Sequence, residues 1–330
     1  DVTGVQTCAL PIYKRKNMNN LKKIGLTALA ASLVTTSAFA GEMSVAGSAS
    51  IGVKNTTGTN TALGKSWTMG NQLTFTGGGE LDNGMNVSLS FIIDQADDST
   101  TGLANSPFDS HSVTISSDAL GSFKFSGEGG SSAQGAMDAG AAGDLWNNGT
   151  GVAEITGAAA GNNSMFYTLP SMVDGLEVTA SMSPGKAAQE THTSYGVAYT
   201  GVEGLTVKFG QGDSGAPGAE IESTTMMASY AIGSFTVSAS NTEADKTGAN
   251  NREVRSYQVA YTLSDSMSAT YGTETYETVG SSTDEEIDSL GVSYTTGGMT
   301  LSATTFDTEG AGNTAGAKTE RWALGLSFAF

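Results

Sequence analysis

The chain has 330 residues, 38% of them hydrophobic and only 15% charged, with a formal net charge of −18. Five of the fifteen Lys/Arg lie at positions 14–23 and one of the 33 acids is Asp1, so residues 41–330 hold ten bases against 32 acids, net −22. That balance argues against nucleic acid, whose binding runs on Lys/Arg against phosphate. The single cysteine, Cys8, stands near the start, so residues 41–330 contain no disulfide and no thiolate metal site.

Residues 1–17 resemble the conceptual translation of a sequencing-library adapter and are expected to be an artefactual extension. A start follows at Met18. Lys22 and Lys23 supply a positive region, Ile24 to Val34 a short apolar run, and Ala38-Phe39-Ala40 a small-x-small site. Residues 18–40 therefore read as a signal peptide cleaved near Ala40/Gly41. The apolar run is too short for a spanning helix, which needs roughly 20 residues.

Beyond residue 40 the dominant signal is alternation with a period of two, which specifies strands. Sixteen such segments lie near 43–53, 66–76, 85–93, 110–117, 122–128, 164–169, 175–183, 193–200, 204–211, 223–230, 234–241, 253–262, 266–274, 286–294, 299–306 and 319–330. Short connections such as Asp82-Asn83-Gly84 and Ala231-Ile232-Gly233 alternate with longer ones, including 54–65, 94–109, 129–163, 242–252 and 307–318. Five hairpins repeat a tyrosine before the short turn. Tyr167, Tyr199, Tyr230, Tyr261 and Tyr294 stand 32, 31, 31 and 33 residues apart, and such a repeat defines the unit of the fold.

The two faces differ. Val87, Leu89, Phe91 and Ile93 share one side, with Ser88, Ser90 and Ile92 opposite. In the last segment Trp322, Leu324, Leu326, Phe328 and Phe330 oppose Arg321, Ala323, Gly325, Ser327 and Ala329. A soluble sandwich with a half-buried last strand would share this alternation, but it has no reason to segregate short turns from long loops. Outer-membrane barrels do both, with apolar residues toward lipid and small polar ones toward water. Amphipathic rings favour the membrane interface, so the five tyrosines read as an aromatic girdle on the short-turn side.

The chain thus resembles the sixteen-stranded general porins, nearest the alphaproteobacterial type. The resemblance rests on Gly79-Glu-Leu-Asp-Asn-Gly84, Phe166-Tyr-Thr-Leu-Pro170 followed by Asp174-Gly175-Leu176, and the terminal Phe330, over residues 41–330. It implies an all-β, 16-stranded antiparallel transmembrane barrel in the bacterial outer membrane. It also implies a homotrimer embedded in outer-membrane lipid, and Phe330 with Phe328 as the signal to the barrel assembly machinery. The connection 129–163 would fold inward between strands 5 and 6 and narrow the pore, presenting Asp138, Asp144 and Glu154. The family sets basic side chains on the wall opposite this loop, and here the chain departs. No Lys or Arg occurs from Ser66 to Ser117, and parity leaves only Lys54, Lys124, Lys208 and Arg321 facing inward.

The expected function is a general diffusion channel for small hydrophilic solutes and ions, cation-preferring because carboxylate rings favour cations. The alternatives are a substrate-specific channel and a non-conducting adhesin or structural barrel. No enzyme activity is expected. Gly212-Asp213-Ser214-Gly215 resembles a serine-protease nucleophile segment, but only His111 and His192 exist as bases. Gly210 to Gly215 also matches G-x-G-x-x-G, with no helix pattern after it. No cofactor is expected. Calcium is a candidate ligand at acids such as Asp138, and the clusters Asp94/Asp97/Asp98 and Asp284/Glu285/Glu286/Asp288 lack EF-hand spacing.

Overall fold

The computed structural model describes residues 41, 43–59, 64–94, 108–138, 145, 155, 157–185, 190–248 and 251–330. Residues 1–40, where an extension and a signal peptide are expected, and Asp97, Asp98, Asp144 and Glu154 lie outside them. Sixteen strands form one closed antiparallel barrel in which each strand pairs with its sequence neighbours. The first eight are β1 (Met43–Gly58), β2 (Gly64–Glu80), β3 (Asn86–Asp94), β4 (Phe108–Ser117), β5 (Gly121–Glu128), β6 (Ser164–Thr168), β7 (Leu176–Ser183) and β8 (His192–Tyr199). The rest are β9 (Leu205–Ala216), β10 (Ala219–Ile232), β11 (Phe235–Lys246), β12 (Arg252–Ser264), β13 (Met267–Thr278), β14 (Glu285–Thr296), β15 (Met299–Glu309) and β16 (Lys318–Ala329). A short helix, α1 (Ala133–Asp138), follows β5.

Closure is made by β16 on β1, in register from Ser48↔Ala329 to Gly58↔Thr319. One residue further, the Gly47 amide donates to the Phe330 carbonyl at 2.6 Å and the Phe330 amide to the Gly47 carbonyl at 2.9 Å. The Phe330 ring lies over the bare Gly47 backbone, so a Cβ at position 47 would push this exposed ring aside. The last hydrogen bonds of the seam are thus a reciprocal main-chain pair that includes the final residue. At the short-turn end, Gly297 (φ 53°) and Gly298 (φ 81°) join β14 to β15 in two residues, the left-handed geometry that matches strand twist.

The alternation expected from the sequence holds at this end. Leu290, Val292 and Tyr294 are exposed on the outside of β14, and Val207 and Phe209 on the outside of β9. Toward the long-loop end of β10 and β12–β15 the pattern inverts. Ile221, Val254, Tyr276, Ile287 and Phe306 turn inward and are buried, while their neighbours Glu222, Glu253, Glu277, Glu286, Asp288 and Asp307 fall on the other face. Together with Ala244, Leu145 and Ile155 the inward residues form one apolar cluster inside the barrel.

This inversion corrects the strand ends. The segments expected at 204–211 and 223–230 extend to Ala216 and back to Ala219, leaving only the turn Pro217-Gly218 in place of a longer loop. The stretches 242–252 and 307–318 shorten likewise. Backbone pairing continues where apolar-out alternation stops, so hydrophobic patterning undercounts the strand residues. Ile287→Ala is expected to cost about 2–5 kcal/mol through lost core contacts, whereas Asp288→Ala, on the opposite face, should stay within about 0.5 kcal/mol; urea unfolding midpoints in detergent compare them.

Candidate functional site

The site lies inside the barrel, where the connection between β5 and β6 meets the wall. One row of directly paired residues forms the floor: Thr179, Gly196, Gly210, Thr225, Thr242 and Val254, across β7 to β12. Two positions in this row are glycine. A Cβ on Gly196 would stand 2.7 Å from the Ala133 carbonyl oxygen and from Met137, and one on Gly210 would stand 2.8 Å from the Gln134 Cα. The wall is thinned to bare backbone where α1 lies against it. Gly212 does the same for the returning segment, since its Cβ would meet that of Ala158 at 2.7 Å.

A helix of six residues cannot satisfy its own first amides, and here the wall does so. The Ala133 amide donates to Ser181 and Ser194 on β7 and β8, each at 2.9 Å, and the two hydroxyls are 2.6 Å apart. Gln134 is 1% exposed. Its Nε2 donates to the Thr225 hydroxyl at 2.7 Å, and its Oε1 accepts from the Ala158 amide at 2.9 Å. The Thr225 and Thr242 hydroxyls are 3.0 Å apart, and Thr242 donates to Asp138 Oδ1 at 3.0 Å. Further round, Glu274 accepts from the Leu145 amide at 3.1 Å and from the Ser256 hydroxyl.

Asp138 thus sits at the end of α1 against β11. Burial raises its pKa, and the Thr242 hydroxyl and the charge on Lys208 oppose that rise. Lys208 faces inward on β9, as parity places it, and lies close enough to the loop acid for its charge to act on Asp138. Lys54 and Arg321 are neighbours as parity implied: Lys54 pairs with Ala323, and Arg321 with Thr56 in the next inward position. The Arg321 guanidinium stands 5.3 Å from the centre of the Phe306 ring. Lys124 faces inward on β5, between Thr114 and Phe166. Parity missed two further inward bases: Arg252, which interacts with Tyr276 in the apolar cluster, and Lys246, paired with Ile221 at the end of β11.

Elsewhere the inner face is mostly hydroxyl. Ser88, Ser90, Ser112 and Thr114 continue the inward rows of β3 and β4, and Gly52 and Gly70 face Thr68 and Ser50 across the strand pairs of β1 and β2. The five tyrosines lie on the outer face beside the short turns, and the Tyr167 hydroxyl donates to the Leu120 carbonyl in one of them. Phe328 is outward on β16.

The remaining motifs resolve in simple ways. Asp213 and Ser214 are consecutive strand residues on opposite faces of β9. The Asp213 carboxylate ties down the start of β8, 2.6 Å from His192 Nδ1 and 2.9 Å from the Thr193 amide, while the buried Ser214 hydroxyl makes no hydrogen bond to His192. Gly210 to Gly215 is strand throughout, without the helix that a dinucleotide fingerprint requires. The cluster at 284–288 is split by the pleat: Glu285 is buried and accepts from the Gly312 amide at 2.6 Å, and Glu286 and Asp288 face outward. Among the described residues no three His, Cys, Asp or Glu converge as a metal site, so the cluster does not offer calcium a common cage. His111 lies 4.0 Å from Glu128 at a bulge between β4 and β5.

Several solved structures share this architecture. The anion-selective porin of Comamonas acidovorans superposes with a TM-score of 0.69 at 15% identity, over 88% of this chain and all of that one. Salmonella typhi OmpF in complex with daunomycin gives 0.68 at 13% identity, over 88% and 98%. A porin structure refined at 1.8 Å gives 0.63 at 20% identity, over 88% and all of that chain. A search of curated proteins returned no match. The model of the Gram-negative porin family matches residues 25–285, and with the closed sixteen-strand barrel around it, the chain belongs to that family.

Proposed function

We propose that this outer-membrane diffusion channel passes small hydrophilic solutes and ions without a dedicated binding site and prefers cations. One observation carries the reading: a segment of the long β5–β6 connection is seated on the inner wall of a closed barrel whose other inward positions are mainly hydroxyl. A seated segment inside a barrel narrows the lumen, and hydroxyls replace water's hydrogen bonds without choosing a charge. Among the described residues the inward aromatics Phe166, Tyr276 and Phe306 lie on β6, β13 and β15 and make no ladder that a sugar-specific pore would use.

Cation preference follows from the charge balance. Residues 41–330 carry 32 acids against ten bases. The charge of Lys208 acts on Asp138, Arg252 lies beside Tyr276 and Lys246 pairs with Ile221, so the inward Lys and Arg of the strands are spread thinly around the wall. A surface dominated by one sign concentrates counter-ions at its mouth. Asp144 and Glu154 would add to the same field. We further infer that the protein works as a homotrimer after cleavage near Ala40/Gly41, that Phe330 and Phe328 address it to the assembly machinery, and that the outward tyrosines anchor it at the periplasmic interface. Passage needs no cofactor in this reading.

Purified protein in a planar bilayer under a KCl gradient should give a reversal potential of the sign for K⁺, and Arg321→Ala should raise the cation-to-anion permeability ratio by about twofold; an anion-selective potential, or an absence of channels, contradicts the proposal. Gly210→Val places methyl groups where the Gln134 backbone lies, and is expected to unseat α1 and raise the swelling rate of liposomes in a trisaccharide relative to a monosaccharide.

A further inference from the structure

The hydrogen bonds that join α1 to the wall have a fixed direction. The Ala158 amide can only donate, so the Gln134 atom facing it must be the carbonyl oxygen, which turns the amide NH₂ toward Thr225. Thr225 therefore accepts from Gln134 and has its own proton for Thr242. Thr242 in turn gives its proton to Asp138. Every proton in the series Gln134, Thr225, Thr242, Asp138 thus points toward the carboxylate. Gln134, Thr225 and Thr242 are 1%, 0% and 4% exposed, so no bulk water substitutes for a missing donor.

Both ends of this relay belong to the long connection, and both hydroxyls belong to the barrel. The near end of the relay also grips the returning half of the connection through Ala158. We propose that this directed relay is the latch that holds the constriction at its working width, with Gln134 as the positioning residue that sets its polarity. The inference rests on the diffusion-channel reading, because only in a channel does the seating of this segment set what passes.

Polarity gives a test that bulk, stability and net charge do not imitate. In Gln134→Glu, assayed at a pH high enough to ionise both carboxyls, an acceptor replaces the donor. Two hydroxyls would then lie between two carboxylates, each would donate outward, and the Thr225–Thr242 bond would be lost. In Gln134→Glu/Asp138→Asn the side-chain amide is moved to the other end. The amide introduced at position 138 can donate to Thr242, Thr242 to Thr225, and Thr225 to the carboxylate introduced at position 134, whose second oxygen still accepts from Ala158. The double variant reverses every proton and keeps the formal charge of the native pair. Asp138→Asn alone keeps the native direction, because its amide oxygen accepts from Thr242.

The experiment is liposome swelling by the full-length protein in arabinose, sucrose and raffinose, with single-channel conductance and heat-induced unfolding on the same preparations. Gln134→Glu should raise the raffinose-to-arabinose rate ratio about fivefold, the effect of losing one buried hydrogen bond on a seated-to-unseated equilibrium. Asp138→Asn and the double variant should both lie within about twofold of the native ratio. A double variant no closer to native than Gln134→Glu, or a Gln134→Glu channel indistinguishable from native, overturns the latch. Should Gln134→Glu fail to fold, Thr225→Val against Thr225→Ser decides in the same way, since only the serine keeps the relay. Native protein that gives no swelling in any sugar refutes the channel reading itself, a result distinct from either outcome for the latch.

Discussion

The structure depends on one constraint: in hydrocarbon there is no water to satisfy a backbone amide or carbonyl, so a sheet in a membrane must close on itself. Every other feature is arranged around that closure. β16 meets β1 over eleven paired residues, and the seam ends on the reciprocal bonds between Gly47 and Phe330. The ring of the last residue lies over a glycine, so the aromatic terminus and the bare position opposite it form one joint.

Closure creates two surfaces, and the solvent outside decides what each carries. Where the outside is lipid, large apolar residues face out and Ser, Thr and Gly face in, as along Leu290, Val292 and Tyr294. Toward the long-loop end of β10 and β12–β15 the outer face carries carboxylates and the inner face carries Ile221, Val254, Tyr276, Ile287 and Phe306. A charged outer face is costly in hydrocarbon, so the reversal marks the level at which the sheet leaves lipid. Above that level the wall behaves like a soluble sheet with its core on the inside, and Leu145 and Ile155 from the long connection complete that core.

This reversal also explains what the sequence could and could not disclose. Strands with apolar-out alternation were legible, including their number, their order and the side of the tyrosines. The polar ends of β9 and β10 were not, since Asp213, Ser214, Glu220 and Glu222 look like loop residues until the ladder pairs them. Inward bases were legible by parity at Lys54, Lys124, Lys208 and Arg321, but Lys246 and Arg252 were missed because they lie beyond the expected strand ends. The seat of the long connection was legible only in hindsight. Gly196 and Gly210 replace hydroxyls in inward rows, a faint signal, and nothing local marks Gln134, whose partners lie 24 and 91 residues away. Such pairings depend on register across several strands, which no single segment encodes.

The inner face of the barrel meets water and the outer face meets lipid. Residues 41–330 contain no cysteine, so single cysteines introduced along β3 report that assignment directly in the assembled protein. A membrane-impermeant, water-soluble thiol reagent should modify cysteines introduced in place of Ser88 and Ser90 and reduce conductance, and should leave those in place of Val87, Leu89 and Phe91 unreacted. Equal labelling at all five positions, or labelling confined to 87, 89 and 91, would contradict the account.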